Sequence, residues 1–380
     1  MNFINAMFGS ILSLDPVSAV KMVVMWAIGG TLIYLAIKKD MEPSLLLPMG
    51  FGAILVNLPL SGAIDQMHEL GIEVGALSEL FRAGISNELF PLLLFIGIGA
   101  MIDFGPLLAN PKLFLFGAAA QAGIFLTIIV AAALGFDIID AASIGIIGAA
   151  DGPTSILVSQ VLGSKYVGAI AVAAYSYMAL VPIIQPFAIK LVTTKKERAM
   201  KMPYAASGVS RRTRILFPIV VSIVAGLVAP SSVALVGFLM FGNLIRECGV
   251  LESLSQTAQH ELANLITLLL GITISFSMRA EQFVTRETLI ILCLGLIAFV
   301  LDSVVGVLFA KVLNLFCRSK VNPMIGAAGI SAFPMSSRVI EKLGMEADRT
   351  NHLLMHAVAA NVSGQIASVV AGGVILGFFM

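Results

Sequence analysis

From about residue 22 to the end of the chain, long apolar runs alternate with short polar or charged punctuation. A helix needs roughly 20 apolar residues to cross the hydrocarbon core of a bilayer. The first run, 22–37, is closed by Lys38-Lys39-Asp40, which sets one end at the water interface. A second, 45–60, contains Pro48, Gly50 and Gly52 and predicts a broken segment. Residues 61–88 are mixed in polarity and read as a surface loop with room for a helix lying along the membrane. The run 89–108 carries Asp103 and stops at Asn110-Pro111-Lys112, because proline pushes the residue before it out of the helical region. Residues 113–134 predict an unambiguous span, 141–163 carry one polar, helix-breaking motif, and 167–192 predict a further span containing Tyr175, Tyr177, Pro182 and Pro186. Residues 1–21 read as a short amphipathic lead-in without the cleavage site of a signal peptide.

Between residues 190 and 214 the pattern changes. Lys195, Lys196, Arg198, Lys201, Arg211, Arg212 and Arg214 crowd a stretch whose single acid is Glu197. A short basic loop between spans predicts a cytoplasmic location. Beyond it the chain resembles itself. Residues 45–57 resemble 235–246, and 92–103 resemble 268–279, each an apolar run that ends in a charge. Ile147-Gly148-Ala149-Ala150-Asp151 resembles Ile325-Gly326-Ala327-Ala328-Gly329, with Pro153 and Pro334 as matching helix breakers. Three matches in one order predict two repeats, 22–192 and 215–380, joined by a linker at 193–214. Repeats of this kind place broken helices near the middle of the membrane.

Composition agrees with the pattern. Of 380 residues, 58% are hydrophobic and 12% charged, with a mean hydropathy of +1.00, which makes this an integral membrane protein. The expected fold is an all-α polytopic membrane protein with two repeats, inverted if each has an odd number of crossings. A net charge of +1 says nothing of partners. Cys248, Cys293 and Cys317 have no metal-ligand spacing and read as small apolar residues. His260 is expected in a loop. His352 and His356, four apart, admit a metal pair or a helix-end pair on one helical face.

The chemistry centres on Gly148-Ala149-Ala150-Asp151-Gly152-Pro153-Thr154-Ser155. An ionised Asp at mid-membrane costs roughly 3 kcal/mol and faces a cavity, a partner or an ion. Pro153 frees backbone groups that lipid cannot satisfy. A carboxylate beside unwound carbonyls suits a hard monovalent cation such as sodium. In the second copy the matching position is Gly329, so the charge sits in one half only. Around the second break lie Asn322, Ser331, Ser336, Ser337 and Arg338, and the last span adds Asn361, Ser363 and Gln365. These supply oxygen ligands. Asn361 alone would suit a helix-packing hydrogen bond equally well. Arg338 predicts an anionic substrate or internal acid, or else marks a helix end with Glu341 and Lys342. Asp302 is a second intramembrane acid that could pair with Arg279 or Arg338. No dinucleotide, phosphate-loop, zinc or nucleophile-elbow motif is present.

Asp103-Phe104-Gly105-Pro106-Leu107-Leu108-Ala109-Asn110-Pro111, the Asp151 motif, Asn322-Pro323 with Gly326-Ala327-Ala328-Gly329, and Asn361-Val362-Ser363-Gly364-Gln365 resemble the membrane beta subunit of the biotin-dependent sodium-translocating decarboxylases. Members of that family act on oxaloacetate, methylmalonyl-CoA or glutaconyl-CoA, and the resemblance covers nearly the whole chain. It implies a subunit that decarboxylates carboxybiotin and moves sodium outward while consuming a proton. The implied partners are a biotin carrier protein, a soluble carboxyltransferase alpha subunit, a small membrane anchor (gamma or delta) subunit, further copies in a homotrimer and membrane lipid, with no nucleic acid. Carried over by position, the functional residues are Asp151, Tyr177, Ser331 and Arg338 for catalysis, Arg338 and Gly326 for carboxybiotin, and Asp151, Asn322, Asn361 and Ser331 for sodium. The rival function from the same features is a sodium-coupled secondary transporter or sodium/proton antiporter in the bacterial cytoplasmic membrane.

Overall fold

The computed structural model describes residues 15–39, 42–68, 71–202, 208–317 and 320–379. Helices make up most of it, as lipid demands of a backbone that must satisfy its own hydrogen bonds. Among the described residues five helical segments are long and apolar enough to cross a membrane, or up to seven if two bent pairs each count as one span.

Helix α1 (Pro16–Lys39) starts earlier than the expected run. It absorbs part of the presumed lead-in, whose residues 1–14 lie outside the described residues. Asp15 Oδ2 accepts from Val17 N at 3.1 Å, and Lys38 and Lys39 complement the other end of the helix dipole. Helix α2 (Pro43–Val56) is not broken as expected. Its 14 residues rise about 21 Å at 1.5 Å each. Pro48 stays inside it, and Gly52 serves a close crossing: a Cβ there would lie 2.3 Å from Ser275 Oγ.

The expected surface loop holds a hairpin, β1 (Gln66–His68) antiparallel to β2 (Gly71–Glu73), and then α3 (Ala76–Gly84). Helix α3 leads into α4 (Leu89–Met101) through a 61° bend. After α5 (Gly105–Ala109) and a 3-10 turn at Pro111–Leu113, α6 (Phe114–Ala119) and α7 (Ala122–Ala133) make up the expected span, one candidate crossing over Pro111–Ala133 with a turn at Ala120-Gln121. A distant acid bonds the chain just after this turn. Asp302 Oδ1 accepts the free amide of Gly123 at 2.5 Å, so Asp302 pairs with neither Arg279 nor Arg338. Arg279 instead lies over the Phe276 ring, 4.8 Å from its centroid.

Next come α8 (Ile138–Gly145), a 3-10 turn (Ile146–Ala149), α9 (Gly152–Val161) and α10 (Val167–Val192), the last over the expected residues. Helix α10 bends by 69° between Met178 and Leu180, where Pro182 cannot donate to the carbonyl four residues back. Helix α11 (Lys195–Arg198) lies in the linker, capped by Thr194 and Glu197. Helix α12 (Arg211–Val228) takes Arg211, Arg212 and Arg214 into its first turn, so the basic linker ends earlier than the pattern suggested.

Helices α13 (Val233–Glu247) and α14 (Glu252–Thr257), a π turn (Ala258–Leu262) and α15 (Ala263–Ile274) follow. His260 lies on the π turn, not in a loop. The chain closes with α16 (Ala280–Phe283), α17 (Arg286–Phe316), α18 (Met324–Ala327), α19 (Met335–Ala347) and α20 (Leu354–Phe379). His352 precedes α20 and bonds Glu341 at 2.8 Å, so it shares no helical face with His356. Among the described residues no group of three His, Cys, Asp or Glu side chains is arranged to hold a metal. The three cysteines are free.

Segments that resemble each other in sequence exchange packing partners. Helix α2 lies on α15, while its counterpart α13 lies on α4. Asn57, at the end of α2, donates to Met278 O (2.9 Å) and accepts from Ala280 N (2.7 Å). Asn243 on α13 donates to Ile102 O at 2.9 Å. Each asparagine therefore holds the chain where the other half's helix ends. At the centre the two breaks meet, with Ser331 N donating to Ala149 O at 3.2 Å.

Candidate functional site

Asp151 sits where one helix stops and another starts. Ala150 takes the left-handed conformation (φ 53°), turning the chain out of the 3-10 segment. Asp151 is then extended and caps α9. Its Oδ1 accepts from Thr154 N (3.4 Å), and its Oδ2 accepts from Thr154 Oγ1 (2.7 Å) and Ser368 Oγ (2.9 Å). The carboxylate is 3% exposed and has no basic partner among the described residues. Donors and the positive end of α9 are what hold it.

The second break supplies oxygens. Ser331 Oγ also donates to Ala149 O, and Gln365 Nε2 donates to Ser331 O. Asn361 Nδ2 donates to Ile330 O at 2.6 Å. With both amide nitrogens turned to backbone, Asn361 Oδ1 and Gln365 Oε1 are buried without partners, as is the Tyr175 hydroxyl. Buried orphan acceptors beside a carboxylate are costly unless something positive satisfies them.

Asp151, Tyr175, Ser331 and Gln365 line one cavity of about 260 Å³ whose other walls include Leu94, Ile98 and Phe333. Gln259, on the π turn, lines both this cavity and a hollow of about 310 Å³ with Arg214, Arg246 and Glu247. Glu42, at the start of α2, also lines it, and burial pushes the Glu42 carboxyl above its ordinary value. A separate hollow of about 290 Å³ around Asp140, Lys165 and Arg286 flanks the other end of α10. There Lys165 pairs with Asp140 at 3.5 Å.

This chain matches, over residues 21–379, the family described as the Na+-transporting oxaloacetate decarboxylase beta subunit. It is 48% identical over 353 residues to glutaconyl-CoA decarboxylase subunit beta of Acidaminococcus fermentans, covering 93% of this chain and 92% of that one. It is 47% identical over 374 residues to methylmalonyl-CoA decarboxylase subunit beta of Propionigenium modestum, covering 94% of each. It is 44% identical over 403 aligned positions to the oxaloacetate decarboxylase beta chain of Klebsiella pneumoniae, covering 92% and 93%. The chain belongs to this beta-subunit family.

For a member of the family, the structure divides the expected site residues. It brings Asp151 and Ser331 into one cavity and sets Asn361 beside them, bonded to the residue before Ser331. The others lie elsewhere. Tyr177 points away, its hydroxyl donating to Leu292 O on α17. Gly326 does not line the cavity but crosses Gly306: a Cβ on Gly326 would lie 1.9 Å from Gly306 O. Arg338 is exposed on α19, one turn past the cavity-lining Pro334, and its side chain has no hydrogen bond or ion pair among the described residues.

Asn322 does not line the cavity and is fully engaged elsewhere. Its Nδ2 donates to Met200 O (2.8 Å) and Arg198 O (3.1 Å), and its Oδ1 accepts from Met324 N (3.0 Å). Lys201 adds an ion pair to Asp348 at 3.1 Å, and Thr350 with Lys201 holds the Asp348 carboxyl down at about 2. Asn322 thus pins the linker to the start of the second break. Asn322→Ala would leave Met200 O unpaired and Arg198 O with Asn351 Nδ2 (3.0 Å) as its remaining side-chain donor, a loss of about 1–3 kcal/mol. The expected result is faster trypsin cleavage between residues 195 and 214, seen by limited digestion, with sodium affinity unchanged.

Thr154, Ser368, Tyr175 and Glu42 are among the cavity and cap residues that fall outside the expected set. Thr154 stands three after Asp151, the spacing at which a capping side chain meets the helix backbone. Tyr175 lies two before Tyr177 on one helix, and sequence offers no means of choosing between them.

Proposed function

We propose that this chain is the sodium-pumping carboxybiotin decarboxylase subunit of a biotin-dependent complex, coupling decarboxylation to outward sodium transport with consumption of a proton. The observation that supports this most is the buried Asp151 carboxylate, held by hydroxyl and amide donors at the meeting of two helix breaks, with orphan oxygens around it. Asp151, Ser331 and the Asn361 and Gln365 amide oxygens are suited to a monovalent hard cation. The exchange of partners between matching segments supports an inverted repeat, 22–192 against 215–380, whose two breaks form the site.

Carboxybiotin, when delivered, supplies a carboxylate that leaves as carbon dioxide while a ureido nitrogen takes up a proton. The cavity fits its head, with apolar walls from α4 and polar groups at one end. Arg338 is free to receive the carboxylate at the cavity's edge, and its planar fork suits that group. Differential affinity for the cation between two arrangements of the breaks would couple the events. Each charge moved against the membrane potential costs about 2.3 kcal/mol per 100 mV. The partners in this reading are a biotin carrier protein, a soluble carboxyltransferase alpha subunit, a small gamma or delta anchor and two further copies of the chain. The linker faces the cytoplasm of a bacterium.

Mild solubilisation and an avidin blot test the reading: a biotinylated partner should co-purify. A lone subunit that moves sodium without biotin would replace it with a carrier. Arg338→Lys should lower carboxybiotin turnover about tenfold or more by losing the bidentate fork, some 1.4 kcal/mol. Normal turnover in that variant would remove Arg338 from carboxylate recognition.

A further inference from the structure

Asp302, midway along α17, is fully buried, and no basic side chain bonds or pairs with it among the described residues. Its Oδ1 accepts from Gly123 N at 2.5 Å, and its Oδ2 has no partner there. The carboxyl is wedged between two glycines: a Cβ on Gly123 would lie 2.1 Å from Oδ1, and one on Gly148 would lie 3.0 Å from Oδ2. Gly148 belongs to the 3-10 turn that ends at Ala149, whose carbonyl accepts from Ser331 N, and Asp151 follows two residues later. One helical turn further along α17, Gly306 packs on Gly326 in the short helix that leads into the second break. One face of α17 therefore backs both breaks, with Asp302 as its polar group against the first.

The elements packed most closely on α17 offer it no counter-charge. Helices α6, α7 and α18 and the 3-10 turn carry no titratable side chain. Helix α8 carries Asp140, which bonds Ser164 and Lys165, and α10 carries Tyr175, Tyr177 and Lys190, the lysine paired with Glu346. None of these bonds to Asp302. Asp151, by contrast, has two hydroxyl donors, an amide and the start of α9. Surroundings this different divide charge and proton between two acids, and the charge falls to Asp151. An unpaired carboxylate costs far more to bury than the neutral acid. We propose that Asp302 is a positioning residue that works as a neutral carboxylic acid: it keeps its proton at working pH, anchors Gly123 N and sets the Gly148 turn, and with it Asp151, where cation binding requires. The inference rests on the sodium-pump reading for the ion that reports on Asp151, not for the protonation of Asp302.

Infrared spectroscopy of the solubilised intact complex tests the protonation. At neutral pH, well above the ~4 at which an exposed aspartate loses its proton, the unmodified complex should show a carboxylic-acid C=O band that is missing in Asp302→Asn. Identical spectra in that region would overturn the proposal. Positioning is read from equilibrium binding of radiolabelled sodium per folded molecule, alongside thermal melts. Asp302→Leu, which strands the Gly123 amide, should raise the sodium dissociation constant about tenfold, ~1.4 kcal/mol. Asp302→Asn stays neutral and keeps an acceptor for that amide, so it should recover most of the loss. A lower melting temperature in Asp302→Leu with unchanged sodium affinity would leave Asp302 a purely structural role and overturn the proposal, as would equal losses of affinity in the two variants. Should Asp302→Leu fail to assemble, Gly148→Ala answers instead: its methyl, 3.0 Å from Oδ2, should shift the acid band and weaken sodium binding, and an unmoved band with unchanged affinity overturns the proposal. An unmodified complex that binds no sodium would count against the pump reading, and the acid band would still decide for Asp302.

Discussion

Asp151→Asn is expected to lower sodium-dependent carboxybiotin decarboxylation in reconstituted vesicles by at least about a hundredfold, ~2.7 kcal/mol. The change is nearly isosteric. Asn keeps an oxygen to accept from Thr154 Oγ1 or Ser368 Oγ, so the cap of α9 and the fold around it should survive. What disappears is the negative charge that lets a dehydrated cation rest among neutral oxygens. Assembly with partner subunits should be unaffected, and a thermal melt should remain close to that of the unmodified complex while losing its dependence on sodium. Full turnover in this variant would end the assigned role.

Gly326→Ala is expected to act on a different property. A methyl at Gly326 would collide with Gly306 O at 1.9 Å, and the contact is mutual, since a Cβ on Gly306 would meet Gly326 O at 2.2 Å. Backbone lies on both sides, so neither can yield by a rotamer change. Helix α17 and the short α18 must then separate, and overpacking of this kind costs about 1–3 kcal/mol or more. Because α18 leads directly into the second break, the shift propagates to Ser331. The expected readout is reduced yield and thermal stability of the membrane complex, with carboxybiotin affinity per folded molecule unchanged. A stable variant with weakened affinity would return Gly326 to the cofactor site that family resemblance implies.

Much of the path of the chain was legible because lipid leaves few alternatives. The span 167–192 and the broken segment around Asp151 stand where apolar pattern, Pro153 and the adjacent glycines place them. Other breaks were not legible. The turn at Ala120-Gln121 has no proline, and Asp302, far along the chain, bonds the Gly123 amide just after it. Conversely Pro48, Gly50 and Gly52 resemble a break but form a packing face. A glycine at a helix crossing and a glycine at a helix end look alike in one dimension.

The candidate site divides in the same way. Asp151 was conspicuous because a charge in an apolar run has a local cost that needs no knowledge of the fold. Tyr175, Ser368 and Glu42 are unremarkable in their own segments and matter through which wall they face. Asn322 and Tyr177 share the polarity of site residues, yet one holds the linker and the other an adjacent helix.

By itself, then, the sequence determined that this is a helical membrane protein with an acid at a broken helix, because burial energies for charge and backbone depend on residue type and neighbours along the chain. Only the tertiary structure decided which oxygens surround that acid and that a second carboxylate lines its cavity. Those properties arise from side chains on α2, α10 and α20, which are distant in sequence and meet only when the helices pack.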